Sequence, residues 1–202
     1  MRIILACEAS QTVTKEFRAK GHEAYSCDTE DCYGDHPEWH IKDDVLNHLD
    51  DGWDMIIAFP PCTHLCSSGA KHFEKKRKDG RQQQGIDFFM KFVDCKCGKV
   101  CIENPVGIMS TVYRRPDQII QPYFFGDPFQ KTTCLWFKNL DSLYHNEKPT
   151  LFDPVVTHTE RGEFVTTPSG KKLPKWYSDN KNSKVRSKTF PGIAKQMAQQ
   201  WG

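Results

Sequence analysis

No stretch of this sequence stays apolar for anything near the roughly 20 residues that a membrane-crossing helix needs. The first apolar run, Arg2–Ala6, passes straight into polar sequence, so it does not read as a secretory signal. Together these two absences predict a cytoplasmic protein with no membrane partner. Charge of one sign is also missing: 28 Lys and Arg oppose 26 Asp and Glu, for a formal net charge of +2. Cysteines do not come in a countable framework. There are nine, an odd number, and without a signal a disulfide scaffold is not expected. The paired Cys-x-x-Cys spacing of structural zinc is absent too. Cys95, Cys97 and Cys101 follow Cys-x-Cys-x-x-x-Cys, with Cys101 inside an apolar run, and Cys27 and Cys32 are a weaker pair, so no metal is expected. No internal repeat or low-complexity tract occurs. What remains is an ordinary globular composition, 38% hydrophobic and 27% charged, over 202 residues.

Charge is balanced in sum but not in place. Nine acids against one base, Lys42, lie between Glu30 and Asp54. Six bases against Glu74 and Asp79 lie between Lys71 and Arg81, and seven against Asp179 between Lys171 and Lys188. Basic segments of this kind either track a phosphate backbone or simply keep a loop solvated.

Strand-like and helical patterns alternate along the chain. Arg2–Ala6, Glu23–Cys27, Asp54–Phe59, Lys99–Glu103 and Thr133–Phe137 read as strands, the third stopped by Pro60 and Pro61 and the fourth at Pro105. Val13 and Phe17 share a helical face that Gly21 can end. Ile86, Phe89, Met90 and Val93 follow helical spacing, and Ile193, Met197 and Trp201 make one face of a last helix. The alternation predicts an α/β class: a doubly wound, mostly parallel, Rossmann-like sheet in one domain over residues 1–202. A Pro-, Lys-, Ser- and Asn-rich loop or small hairpin, turning at Gly162 and Gly170, is expected as an insertion at about 140–186.

In such sheets ligands bind at the carboxyl ends of the strands. Those ends read Cys7-Glu8-Ala9-Ser10, then Asp28, then Pro60-Pro61-Cys62, then Glu103-Asn104-Pro105. A thiolate is a strong nucleophile, and a strand end stiffened by two prolines presents one well. A helix or turn after it could lower the Cys62 pKa. A buried structural cysteine is the alternative. Glu103, partly desolvated at a sheet edge, could keep its proton near neutral pH and donate it to a ring nitrogen. It could instead cap a turn or pair with a lysine. Side by side, a nucleophilic thiol and an acid suit attack on an electron-poor ring.

Pro60-Pro61-Cys62 and Glu103-Asn104, in this order and after strands, resemble the cytosine-5 DNA methyltransferases. The segments ILACEASQ, GHEAYSCD, AFPPCTHLCSSGAK, IENP, TTCLWFKNL and SKTFPGIAKQMAQQWG extend the likeness to the short phage-type branch, which lacks a full target recognition domain. The resemblance implies an enzyme that uses S-adenosylmethionine to methylate carbon 5 of a cytosine flipped out of DNA. Cys62 would be the nucleophile at carbon 6, and Glu103 the partner of ring N3. It also implies cofactor contacts from Cys7, Glu8, Ala9, Ser10, Asp28, Asp44 (with Asp43 as rival) and Pro60. Substrate contacts would come from Pro61, Asn104, Gln130 and Lys131.

Three features depart from the family. Its glycine-rich first loop is Cys7-Glu8-Ala9-Ser10-Gln11-Thr12 here. Its Gln-x-Arg-x-Arg segment becomes Gln130-Lys131-Thr132-Thr133-Cys134. Pro105 replaces the usual Val. With so short an insertion, Lys171, Lys172, Lys175 and Arg186 could grip phosphates without specifying a sequence. Trp176 and Tyr177 could stack on a base or belong to the core. Sequence recognition would be relaxed or would need a partner protein. The same chemistry on a free cytidine nucleotide or single-stranded DNA, and a non-catalytic binding module, are the alternatives.

Overall fold

The structure, a computed structural model, describes residues 1–146 and 158–202. Its elements run β1 (Arg2–Ala6), α1 (Thr12–Ala19), β2 (Glu23–Asp28), β3 (His40–Lys42), β4 (Met55–Ala58), α2 (Phe73–Lys78), α3 (Arg81–Asp94), β5 (Val100–Pro105), α4 (Met109–Val112), β6 (Gln118–Ile120), β7 (Thr133–Lys138), β8 (Phe164–Thr166), β9 (Lys172–Pro174), α5 (Lys175–Asp179), α6 (Ser183–Ser187) and α7 (Pro191–Trp201).

Seven strands form one sheet in the order β3-β2-β1-β4-β5-β7-β6. The first five are parallel, and β7 enters antiparallel to β5. The chain winds outward through β2 and β3 on one side of β1 and through β4 and β5 on the other. This is the expected doubly wound sheet, and its winding reverses beside β1, where such sheets bind ligands.

The central strands β1 and β4 are buried on both faces, which explains their unbroken apolar runs. Alternation along β1 sends Ile3 and Leu5 to one face with Val13 and Phe17 of α1 and Ile193, Met197 and Trp201 of α7. Ile4 and Ala6 go to the other, with Phe89 and Phe92 of α3 and Trp136 of β7. Phe17 is completely buried, and losing such a ring costs on the order of 3–5 kcal/mol. Gly21, at φ +83°, ends the segment after α1 as its position predicts; its amide donates to the Arg18 carbonyl at 2.9 Å.

Three details depart from the sequence reading. β5 does not stop before Pro105 but runs through it. β4 pairing ends at Ile102, while β7 pairing continues to Pro105, so the proline sits where β5 has one neighbour, a setting that tolerates a missing N–H. β3 and β6, three residues each, were too short to leave a periodic pattern. The expected hairpin exists as β8–β9, turning at Gly170 with φ +78°, while residues 147–157 of that insertion lie outside the described residues. Gly162 is not part of its turn. It packs on residue 128, where a Cβ would lie 2.2 Å from the Pro128 carbonyl oxygen.

Candidate active site at the carboxyl edge of the sheet

Register explains which residues meet. Ala6 lies opposite both Cys27 and Ala58, and Ala58 lies opposite Ile102. The loops that follow, from Cys7, Asp28, Phe59 and Glu103, therefore leave the same edge. β7 runs the other way, with Thr133 opposite Pro105, so the residues before it, Gln130 and Lys131, arrive at that edge as well.

The loop that carries Cys62 is bonded to the end of β5, which carries Glu103, and to the segment after it. Asn104, buried, donates from Nδ2 to the Pro60 carbonyl at 2.8 Å, and its Oδ1 is buried without a partner. Ile108 N–H donates to the Leu65 carbonyl at 3.0 Å. The Ser67 amide and hydroxyl both donate to the Val106 carbonyl at 2.9 Å. Gly107 packs so closely that a Cβ would fall 2.2 Å from the Leu65 oxygen. Within the loop, Leu65 and Cys66 amides close a turn on the Cys62 carbonyl. Pro60 is buried and Pro61 exposed, so Pro60 packs under the loop while Pro61 faces outward.

Cys62 is half-buried rather than sealed in the core. Its thiol is pushed up to about 11, first by desolvation and then by the Cys66 thiol and the Glu103 carboxyl, while Lys131 pulls it down. The lowering expected from a following helix does not occur. No helix starts at Cys62; the next helical turn, Ser67–His72, begins five residues on. Glu103 keeps some accessible surface, yet burial raises its pKa, against Lys131 and a hydrogen bond with Thr133. Each group thus feels Lys131, and the Glu103 charge acts on the Cys62 sulfur. Lys131 Nζ also reaches the Lys188 carbonyl at 3.4 Å, and the Lys131 amide donates to Gln121 Oε1. Gln130 lies just outside this pair, on the wall of a groove of about 390 Å³ that includes Phe129, Arg161 and Trp176.

The other end of the edge is built differently. Glu8 is buried, and its carboxylate accepts from the amides of Val13 and Thr14 and from the Thr14 hydroxyl, at 2.7, 3.2 and 2.7 Å. It caps α1, where a helix start favours an anion, although burial still raises its pKa. Ser10 Oγ, buried beside it, lies 3.4 Å from the same carboxylate, and Ala9 is buried. The side chains of Glu8 and Ser10 therefore hold the loop from within. Cys7 and Gln11 have φ of 60° and 57°, the left-handed region that glycine occupies freely. The loop lacks glycine but keeps a glycine-type bend.

Asp28 and Asp44 both raise the Cys7 thiol, after desolvation. Asp28 accepts from the Glu30 amide at 3.0 Å, and exposed Asp44 caps the turn at Val45 by accepting from Leu46 N–H at 3.0 Å. Asp43 is engaged by the Asp44 amide, Asn47 and His48. Asp28 and Asp44 act on Cys7, while Asp43 acts on the neighbouring Cys27.

In the insertion, Trp176 packs between Phe129 and Phe190 at 6.0 and 5.0 Å and is half-buried, which makes it a core side chain. Tyr177 is exposed, with the Arg186 guanidinium 3.9 Å from its ring centre. Arg186 also donates to the Asn180 and Tyr177 carbonyls, and Lys175 pairs with Glu163 at 2.6 Å, so neither is a free cation. Lys171 and Lys172 are exposed. The thiols of Cys95 and Cys97 point to backbone carbonyls, and among the described residues no three His, Cys, Asp or Glu side chains are grouped to hold a metal ion. No described helix is long and apolar enough to cross a membrane.

No protein-family profile matches the chain, and no curated protein does. Among solved structures, similarity is found to a crystal structure from E. coli, described as that of a "putative DNA modification methyltransferase encoded within prophage". It shares 17% identity, covers 76% of this chain and 52% of that one, and has a TM-score of 0.45. The chain therefore spans about half the length of that structure.

Proposed function

We propose that this protein is a cytosine-5 DNA methyltransferase that attacks the base with Cys62 and uses S-adenosylmethionine. One observation carries the reading: the Cys62 thiol, just past β4, and the Glu103 carboxyl, at the end of β5, are close enough for one charge to shift the other, on two segments bonded together. A structural cysteine has no need of a desolvated acid beside it.

Glu103, whose pKa burial raises above the usual carboxylate value, would in its protonated form donate to N3 of an extruded cytosine and draw electrons from the ring. Cys62, as thiolate, would form a bond to carbon 6, and the displaced ring electrons would make carbon 5 nucleophilic. Lys131 favours the anionic forms of both groups and so would ease loss of the thiol proton once a base enters. After carbon 5 is alkylated, loss of its proton to water and departure of the Cys62 thiolate would restore the ring. The cofactor would supply the methyl group from a sulfonium.

The left-handed bend at Cys7 and Gln11 fits a loop that brings backbone close to that cofactor, with Asp28 toward its ribose and Asp44 toward its adenine. Exposed Lys71, Lys75 and Arg77, on the segment after the nucleophile loop, fit a phosphate backbone. A second reading keeps the chemistry and changes the substrate to single-stranded DNA or a free nucleotide. The engaged state of Lys175, Trp176 and Arg186 favours it, since these three described side chains of the insertion already have partners within the chain. Nucleoside mass spectrometry of host DNA after expression tests the first reading through the appearance of 5-methylcytosine. Turnover compared on duplex, single strand and dCMP separates the two.

A further inference from the structure

Six basic residues lie between Lys71 and Arg81, and one of them does not behave as a surface charge. Lys71, Lys75, Arg77, Lys78 and Arg81 are exposed, whereas Lys76 is 9% exposed. It lies one helical turn after half-buried Phe73, on the same face of α2. Its Nζ donates to the Thr63 carbonyl at 2.5 Å, and the loop folds back around it: a Cβ on Gly69 would stand 3.4 Å from the same nitrogen. Removing a lysine amine from water is costly, and the arrangement persists only when the amine has a fixed partner. That partner is the carbonyl of the residue immediately after Cys62.

Two other buried polar side chains do parallel work. Asn104 holds the Pro60 carbonyl at 2.8 Å, and Gln82 of α3 holds the His64 carbonyl at 3.4 Å. Asn104 comes from the sheet, Lys76 and Gln82 from the helices behind the loop. Carbonyls before and after the cysteine are thus each held by a buried side chain from a different part of the fold.

We propose that Lys76 is a positioning residue for the nucleophile, fixing the backbone that presents Cys62 through its bond to the Thr63 carbonyl. Its catalytic consequence rests on the base-modification reading; its effect on the thiol does not.

The deciding measurement is the rate of Cys62 alkylation by iodoacetamide, followed by peptide mass spectrometry on the full chain. With Lys76→Met the loop is released and Cys62 reacts at least threefold faster, whereas Lys76→Arg, which keeps a donor, stays within twofold of wild type. Lys91→Met, an exposed lysine of α3, is the control and leaves the rate unchanged. On DNA, Lys76→Met lowers kcat at least tenfold while KM moves less than threefold, and Lys76→Arg recovers most of the loss. An alkylation rate in Lys76→Met within twofold of wild type overturns the proposal, as does a Lys76→Arg rate equal to that of a faster Lys76→Met. Should Lys76→Met not fold, Lys76→Gln takes its place under the same criteria. Absence of turnover in the wild type would defeat the base-modification reading and leave alkylation to judge Lys76.

Discussion

The two ends of the sheet edge solve opposite problems. Around Cys62 and Glu103 the backbone is clamped by buried donors, Asn104, Lys76 and Gln82, and the two titrating groups are left partly desolvated, the charge of the acid acting on the thiol. Around Cys7, Asp28 and Asp44 the side chains do the clamping, Glu8 and Ser10 beneath the loop, while two acids stay near the surface and the strain lies in the backbone at Cys7 and Gln11. The first end keeps a thiol and an acid away from their ordinary pKa values; the second keeps a shaped backbone beside hydrogen-bond acceptors. Groups that react need perturbed environments, whereas groups that bind need geometry.

Substitutions should separate the two ends cleanly. The largest effect is expected from Cys62→Ser, which abolishes base modification in the nucleoside assay while circular dichroism and melting temperature stay near wild type. Glu103→Gln comes next: it should slow turnover on the order of 10²–10³-fold, within the span of general acid–base effects, with cofactor affinity measured by titration calorimetry unchanged. At the other end, Asp28→Ala should weaken S-adenosylmethionine binding about 10–100-fold, as loss of a charged hydrogen bond does, without altering Cys62 alkylation. If Asp28→Ala changed the thiol instead, the two ends would not be independent. The smallest effect is electrostatic. Cys62 is held as a thiol up to about pH 11, so its alkylation climbs as pH rises through that region. Lys131→Met removes the cation that favours the thiolate and should slow alkylation at pH 9–10 a few fold. Glu103→Gln removes an opposing charge and should speed it; the same sign for both would break the account.

Much of this was legible before any coordinates. Apolar runs buried on both faces announced the parallel strands, and residues after them, Cys7, Asp28, Cys62 and Glu103, proved to share one edge because the strands are parallel and in step. Gln130 and Lys131 joined them through the reversed direction of β7, which no periodicity reveals. Glu8 was legible as a polar residue at a strand end but not as a helix cap, since its partners, Val13 and Thr14, are amides and a hydroxyl that any sequence offers. Asp43 and Asp44 were separable only once Asn47 and His48 were seen to occupy the former. Lys76 looked like its cationic neighbours; its three-residue spacing from Phe73 was the available sign that it faces inward. Trp176 proved to be half-buried because Phe129 and Phe190, distant in sequence, close on it.

The claim beneath all of this is that one sulfur and one carboxyl act on the same pyrimidine. It is tested most directly by incubating the protein and S-adenosylmethionine with DNA carrying 5-fluorocytosine, whose carbon 5 has no proton to lose, and then mapping any covalent product by peptide mass spectrometry. The account predicts a DNA adduct on the peptide containing Cys62, greatly reduced in Glu103→Gln and absent in Cys62→Ser. An adduct on another cysteine, or one that forms equally well without the Glu103 carboxyl, would contradict it.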